Sequence, residues 1–391
     1  MKTATGIIPE IRESFDEMQK IRHDIHQHPE LGYQEHRTSE LIAQYLTHWG
    51  YKVIRGIGGT GVVGILKAGN GTKSIGLRAD MDALPIEETT GLPYASRISG
   101  AMHACGHDGH TTTLLAAAKY LAQKKNFSGT VNLIFQPAEE GNAGAKAMID
   151  DGLFTIAPCD MIFAIHNYPA PSLKFGAMCI NSGAIMASAD SLVIKIIGKG
   201  GHAASPQFTC DPIVISASVI HALQSIVSRN VGPSDCAVVS ITSIQAGNSF
   251  NIIPNELEMK LTVRTLNEEQ RAFILAKINE IVQAQVKSFG ATASITAHSI
   301  GYPVLVNANK PTQLAIEVAT EYFGEENVIT DSPPLLASDD FAFMSQQVPG
   351  CYINIGAGEG IGLHNPQYDF NDELIVVAGS LWAHLTESLL R

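Results

Sequence analysis

Apolar residues Ile11, Phe15, Met18, Ile21 and Ile25 recur at spacings of three and four and stop before Pro29, which predicts one amphipathic helix and its terminator. A second helix is predicted after Thr38, with Leu41, Ile42, Tyr45 and Trp49 on one side and Gly50 at its end. Short apolar runs follow at residues 61–66, 75–77, 131–135 and 161–165, alternating with helical patterns such as 111–121. Strands alternating with helices predict an α/β sheet domain, and ligands of open sheets gather at strand ends and in the loops after them.

The rhythm changes at Ser191 to strand (191–197), helix (211–229), strand (237–244), strand (256–263), helix (267–289) and strand (291–296). This βαββαβ order is that of the ferredoxin-like split βαβ unit and predicts a self-contained α+β domain inserted at residues 188–297. The remainder returns to helix, strand and a closing helical pattern over 373–390, so residues 1–187 and 298–391 are expected to form one domain.

A length of 391 residues fits two domains, and 45% hydrophobic with 16% charged residues is the balance of a globular protein. No run of 18 apolar residues predicts a membrane span, and the opening MKTATGIIPEIRES lacks the apolar core of a secretory leader, so the expected location is the cytoplasm. The six cysteines, 105, 159, 179, 210, 236 and 351, are too scattered for a disulfide framework and are expected as free thiols. A net charge of −12 without acidic runs argues against nucleic acid or an anionic membrane as partner.

The densest chemistry lies in MHACGHDGHTTTLLAAAKYL, residues 102–121, where His103, Cys105, His107, Asp108 and His110 precede an apolar helix that Thr111 to Thr113 are expected to cap. Thiolate and imidazole suit zinc and its neighbours, and a loop anchored by a helix lets several converge. A redox cysteine is the weaker alternative, because no CxxC pair is present. In LIFQPAEEG, residues 133–141, an apolar strand runs into the adjacent carboxylates Glu139 and Glu140. One of the two can bind metal while the other moves the proton of a water. His166 in FAIHNYP and His364 in GLHNPQYDFND follow similar apolar stretches. Cys105, His107, Glu140, His166 and His364 together suffice for two metals if one ligand bridges. Only Cys105 or Glu140 can bridge readily, and the thiolate is the preferred reading.

The segments LRADMDAL, HACGHDGH, FQPAEEG, IHNYP, GKGGHAASP, GNSFNIIPNELEMKLTVRT and LHNPQYDFND together resemble the M20 peptidase family in its amidohydrolase branch, over nearly the whole length and in the same order. The resemblance implies a mixed-sheet, metallopeptidase-like catalytic domain with the ferredoxin-like insert as lid or dimerisation domain. It implies two divalent ions, zinc first and manganese, cobalt or nickel as alternatives, held by Cys105, His107, Glu140, His166 and His364, with Glu139 as general base. It also implies His202 as donor to the oxyanion, in cis or from a partner subunit, and Asn248 and Arg264 as holders of the substrate's carbonyl and carboxylate. Other branches carry a ligand histidine in an HxD motif where this chain reads Arg78, Ala79, Asp80. Asp80 is thus left to orient a ligand histidine or to hold its strand end, with His103, Asp108 and His110 as further supports. No role is assigned to His23, His26, His28, His36, His48, His221, His298 or His384. The expected substrate is a small N-acyl (N-acetyl or N-benzoyl, hippurate-like) amino acid, and the expected assembly a homodimer or homotetramer through the insert. The alternatives are a metallo-dipeptidase or aminopeptidase and a catalytically silent binding protein.

Overall fold

The N-terminal apolar stripe forms two helices, α1 (Pro9–Glu13) and α2 (Phe15–Gln27), and not one. The break falls at Ser14, whose hydroxyl donates to Ile11 O and competes with the helical ladder. The second predicted helix, α3 (His36–His48), starts two residues before Thr38. The computed structural model describes residues 6–169 and 173–391; the first five residues of the opening segment lie outside them.

The chain divides into two units, one of residues 1–183, 306–333 and 340–391, the other of residues 184–305 and 334–339. In the first unit the strands are β1 (Lys52–Ile57), β2 (Gly61–Ala68), β3 (Ser74–Asp80), β4 (Gly129–Gln136), β5 (Met161–Pro169) and β6 (Met178–Cys179), joined later by Val328–Ile329 and Gly350–Gly358. Among the described residues they form an eight-stranded mixed sheet in the order β1-β2-β4-β3-β5, Gly350–Gly358, β6, Val328–Ile329. Its central strands β3, β4 and β5 run parallel, which places their C-terminal ends at one sheet end. Both faces of these strands are covered, so they read as continuous apolar runs.

Helix α4 (His107–Lys124) is almost wholly buried and packs against α2 and the closing helix Leu374–Leu389. It starts at His107, four residues ahead of the expected threonine caps, after Gly106 in the left-handed conformation. Thr111 to Thr113 therefore lie inside the helix. Thr111 donates to Asp80 O and Thr112 to Asp108 O, one turn back.

The second unit contains Asp190–Ile197, Ala237–Gln245, Glu256–Thr265 and Thr292–Ala297 in an antiparallel sheet ordered second, third, first, fourth, with helices Pro212–Ser225 and Glu268–Ser288 in the two crossovers. That is the ferredoxin-like order. Ile194, Ile196, Met259 and Val263 of the sheet and Ile215, Val219, Ile274 and Val282 of the helices share one core. The stretch Pro212–Asn230 is long and apolar enough to cross a membrane by length and composition; Ile215, Val219, Leu223 and Ile226 on it are buried in this core.

Behind α4, Arg22 is fully buried. Its Nε donates to Asp108 Oδ2 at 2.7 Å, its Nη2 to Asp369 at 2.5 Å and its Nη1 to Asp372 at 3.4 Å, while Tyr94 stacks 5.1 Å from the guanidinium carbon. His26, given no role by sequence, joins this cluster through Nδ1, 2.8 Å from Asp108 Oδ2. Burial opposes charge on His26, but Asp108 and Glu88 overcome it and carry its pKa up to about 9. A raised pKa stabilises the fold fully below the unfolded value near 6.5 and loses that stabilisation as pH rises through about 9. In denaturant titrations with chelator present, the stability advantage of wild type over His26→Gln is therefore expected to shrink between pH 6.5 and 9. An advantage that stayed constant or grew over that range would contradict a charged His26.

Candidate metal centre

Cys105, His107, Glu140, His166 and His364 arrive from four segments of the first unit: the turn into α4 with its first residue, the turn after β4, the C-terminal half of β5, and the loop before the closing helix. Cys105 is buried, with Sγ 3.5 Å from His166 Nε2. The ligand atoms of Cys105, His107 and His166 lie within 4.8 Å of one another, and so do those of Cys105, Glu140 and His364. The two triads share the thiol. His364, in a left-handed backbone (φ 61), is tied by its N–H to Ala104 O and places Nε2 3.3 Å from Glu140 Oε1.

The two buried ligand imidazoles are each oriented by their Nδ1. His166 Nδ1 donates to Asn167 O at 2.7 Å, and His107 Nδ1 lies 3.1 Å from Asp82 Oδ1. This leaves Nε2 of each ring as the ligand atom: that of His166 faces Cys105, and among the described residues His107 Nε2 has no hydrogen-bond partner although buried. Burial first and then His110 hold the His166 pKa well below its ordinary value, so the ring is the neutral form a metal needs. Burial opposes charge on His107, yet Asp80, Asp82 and Glu140 carry its pKa up to about 10. Burial, Glu140, Glu139 and Asp80 all push the Cys105 thiol well up. A divalent cation held there would oppose both effects, with positive charge beside the carboxylates and with the Cys105 thiolate and His107 Nε2 as ligands. The donor set thus fits one or more thiophilic divalent ions.

Asp80 serves several partners, with His107 Nε2 3.8 Å from its Oδ2. Its Oδ1 lies 2.6 Å from His110 Nδ1, and its Oδ2 accepts from Arg78 Nη1 at 2.7 Å. Arg78, at the HxD histidine position of other branches, is fully buried and also donates to Gln136 Oε1 and to Asp340. A guanidinium there cannot bind metal and instead pairs with the carboxylates. Asp108 faces Arg22 and His26, away from this cluster, and among the described residues both ring nitrogens of His103 lack hydrogen-bond partners.

Sequence reasoning passed over Asp82. Its Oδ1 faces His107 and its Oδ2 accepts the backbone N–H of Glu140 at 2.9 Å, so one carboxylate orients a ligand ring and the backbone of a second ligand. The available signal was its spacing, two residues beyond Asp80 just past a buried strand.

Glu139, also buried, lies with Glu140 and His107 in a third group within 4.8 Å. The chain reaches these glutamates through Ala138 (φ 52) and leaves through Ala143 (φ 56), both left-handed, at about 1–2 kcal/mol each for a residue with a Cβ. Gly144 closes the turn where a Cβ would stand 1.7 Å from Pro137 O.

His202, Asn248 and Arg264 belong to the second unit. His202 is exposed on the two-residue strand Gly201–His202, paired with Ile252–Ile253, and its Nδ1 accepts from Ala204 N. Asn248 is exposed in the loop before Ile252. Arg264 is half-buried on Glu256–Thr265 and donates to the neutral Ser338 hydroxyl, while Arg271 takes the Asp190 carboxylate with two bonds of 2.8 Å.

A thiol shared by two ligand triads, beside a buried carboxylate at the end of a parallel strand, is the constellation of a metal-binding α/β enzyme. A sequence model described as Peptidase family M20/M25/M40 matches residues 76–388. The chain belongs to this family. It is 48% identical to the hippurate hydrolase of Campylobacter jejuni, over 99% of this chain and all of that one, and 37% identical to the N-acetylcysteine deacetylase of Bacillus subtilis, over 95% and 96%. The crystal structure of a dinuclear metal-binding M20 peptidase from Bacillus subtilis superposes with a TM-score of 0.83 at 32% identity, covering 97% of this chain and 99% of that one.

Removing the Asp82 carboxylate charge leaves the His107 ring and the Glu140 backbone competing for one amide. Asp82→Asn is expected to weaken divalent-ion binding 10–100-fold in competition titrations against a fluorescent chelator, and wild-type affinity in that variant would refute its orienting role.

Proposed function

We propose that this protein is a metal-dependent amidohydrolase that cleaves N-acyl amino acids to a carboxylic acid and a free amino acid. The observation that carries the reading is the pair of ligand triads meeting at Cys105 with Glu139 beside them. In it Cys105, His107, Glu140, His166 and His364 would hold two divalent ions, zinc first, with manganese, cobalt or nickel as alternatives, and Cys105 belongs to both ligand triads. When bound, the ions supply Lewis acidity and lower the pKa of water toward neutrality. Glu139 takes the water's proton as its oxygen bonds to the scissile carbonyl carbon, and returns that proton to the nitrogen as the C–N bond breaks.

The second unit supplies the remaining roles in this reading. Arg264, whose partner Ser338 is neutral, has charge to offer the amino acid's carboxylate. His202 and Asn248 donate to the carbonyl oxygen, His202 from its own or a partner subunit. A cytoplasmic homodimer or homotetramer assembled through the ferredoxin-like unit, which is also the lid, completes the proposal.

Glu139→Gln keeps shape and removes the base, so kcat for N-benzoylglycine or N-acetyl amino acids is expected to fall about 10²-fold or more with bound metal retained. A fall of less than tenfold removes Glu139 from the mechanism. Wild type is expected to hydrolyse N-benzoylglycine faster than glycylglycine, and to lose activity on chelation and regain it with zinc or manganese. Faster cleavage of the unblocked dipeptide would make it a dipeptidase.

A further inference from the structure

The turn that carries Glu139 and Glu140 has left-handed residues at both ends and hangs from carboxylates of three other segments. Ala138 N–H donates to Glu35 Oε1 at 2.8 Å, Glu140 N–H to Asp82 Oδ2 at 2.9 Å and Ala145 N–H to Asp340 Oδ2 at 2.8 Å. Asp82 faces His107 and Asp340 is held by Gln136 and Arg78, so both have reasons to be present apart from the turn. Among the described residues, the Glu35 carboxylate hydrogen-bonds to Ala138 and Thr60 and to no candidate ligand. It is fully buried just before α3, and its second oxygen accepts from Thr60 Oγ1 at 2.5 Å. Burying a carboxylate is costly unless its bonds do something specific. The preceding segment reinforces the contact: at Gly32 a Cβ would stand 3.1 Å from the Ala138 Cβ, and Tyr33 donates to Asn142 O at the far end of the turn.

We propose that Glu35 is a positioning residue for the general base: by holding Ala138 in its left-handed conformation it fixes where the next side chain, Glu139, emerges. This rests on Glu139 acting as base, as read above. Thr60 keeps the Glu35 carboxylate in the one rotation that presents Oε1 to Ala138. The effect falls on the proton-transfer step, because a displacement of about 1 Å at a reacting group costs on the order of 10²-fold in rate. Metal binding and substrate affinity do not pass through Glu35.

The test compares Glu35→Met, Glu35→Gln and Thr60→Val with wild type and Glu139→Gln, measuring kcat and KM on N-benzoylglycine and metal content by mass spectrometry. Glutamine can accept from Ala138 N and donate to Thr60 Oγ1, so Glu35→Gln is expected within threefold of wild type. Glu35→Met, of similar length without an acceptor, is expected to lose 30-fold or more in kcat with KM and metal content within twofold. Activity within threefold in Glu35→Met, or a loss of metal parallel to its loss of rate, overturns the proposal. If Glu35→Met does not fold, Thr60→Val decides: a three- to tenfold loss in kcat at unchanged metal content supports positioning, and wild-type kcat overturns it. An active Glu139→Gln removes the base itself and this inference with it, whereas an inactive Glu139→Gln beside an active Glu35→Met removes the inference alone.

Discussion

Asp80, Glu139 and Glu140 crowd a buried thiol, with Asp82 behind His107 and Glu140, and carboxylates so close inside a protein repel one another unless positive charge stands among them. Arg78 supplies part of it from behind, paired with Asp80 and Asp340. Toward the front the positive charge falls to His107, whose raised pKa shows what the surroundings demand. A divalent ion would meet that demand better than a proton, because the Cys105 thiolate could then serve as a ligand. The arrangement of the first unit around the ends of β3, β4 and β5 follows from this need.

The supporting hydrogen bonds share one logic. A neutral imidazole has one lone pair, so the atom bonded by the other nitrogen decides which way the ligand faces. Asp82 decides it for His107 and the Asn167 carbonyl for His166. Backbone is governed in the same way where the Glu139 turn leaves the sheet, since two left-handed alanines persist only when their surroundings over-determine them. The Arg22, His26 and Asp108 cluster continues the pattern on the far side of α4. It ties the helix bearing His107 to the loop of Asp369 and Asp372 that follows His364, through the fully buried Arg22 and Asp108 and the more exposed Asp369 and Asp372.

The element order was legible because burial imposes periodicity. β3, β4 and β5 appeared as apolar runs since both faces are covered, and the βαββαβ order of the second unit followed from a change of period. Errors fell where local side chains compete with the pattern. Ser14 divides an unbroken apolar stripe, and the threonines expected as caps lie inside α4, because Gly106 in the left-handed conformation lets the helix begin at the histidine.

By itself the sequence determined the chemical inventory: a thiol, imidazoles and paired carboxylates next to strand ends, in motifs that resemble one family. Short-range spacing suffices there, since His107 lies two residues from Cys105 and Glu140 adjoins Glu139. The tertiary structure decided which carboxylate serves which ligand. Asp82 meets His107 and Glu140, Asp80 meets His110 and Arg78, and Glu35 meets Ala138 more than a hundred positions away. Such pairings depend on strand order and loop direction, and no local pattern encodes a bond between segments that become neighbours only when the sheet is assembled.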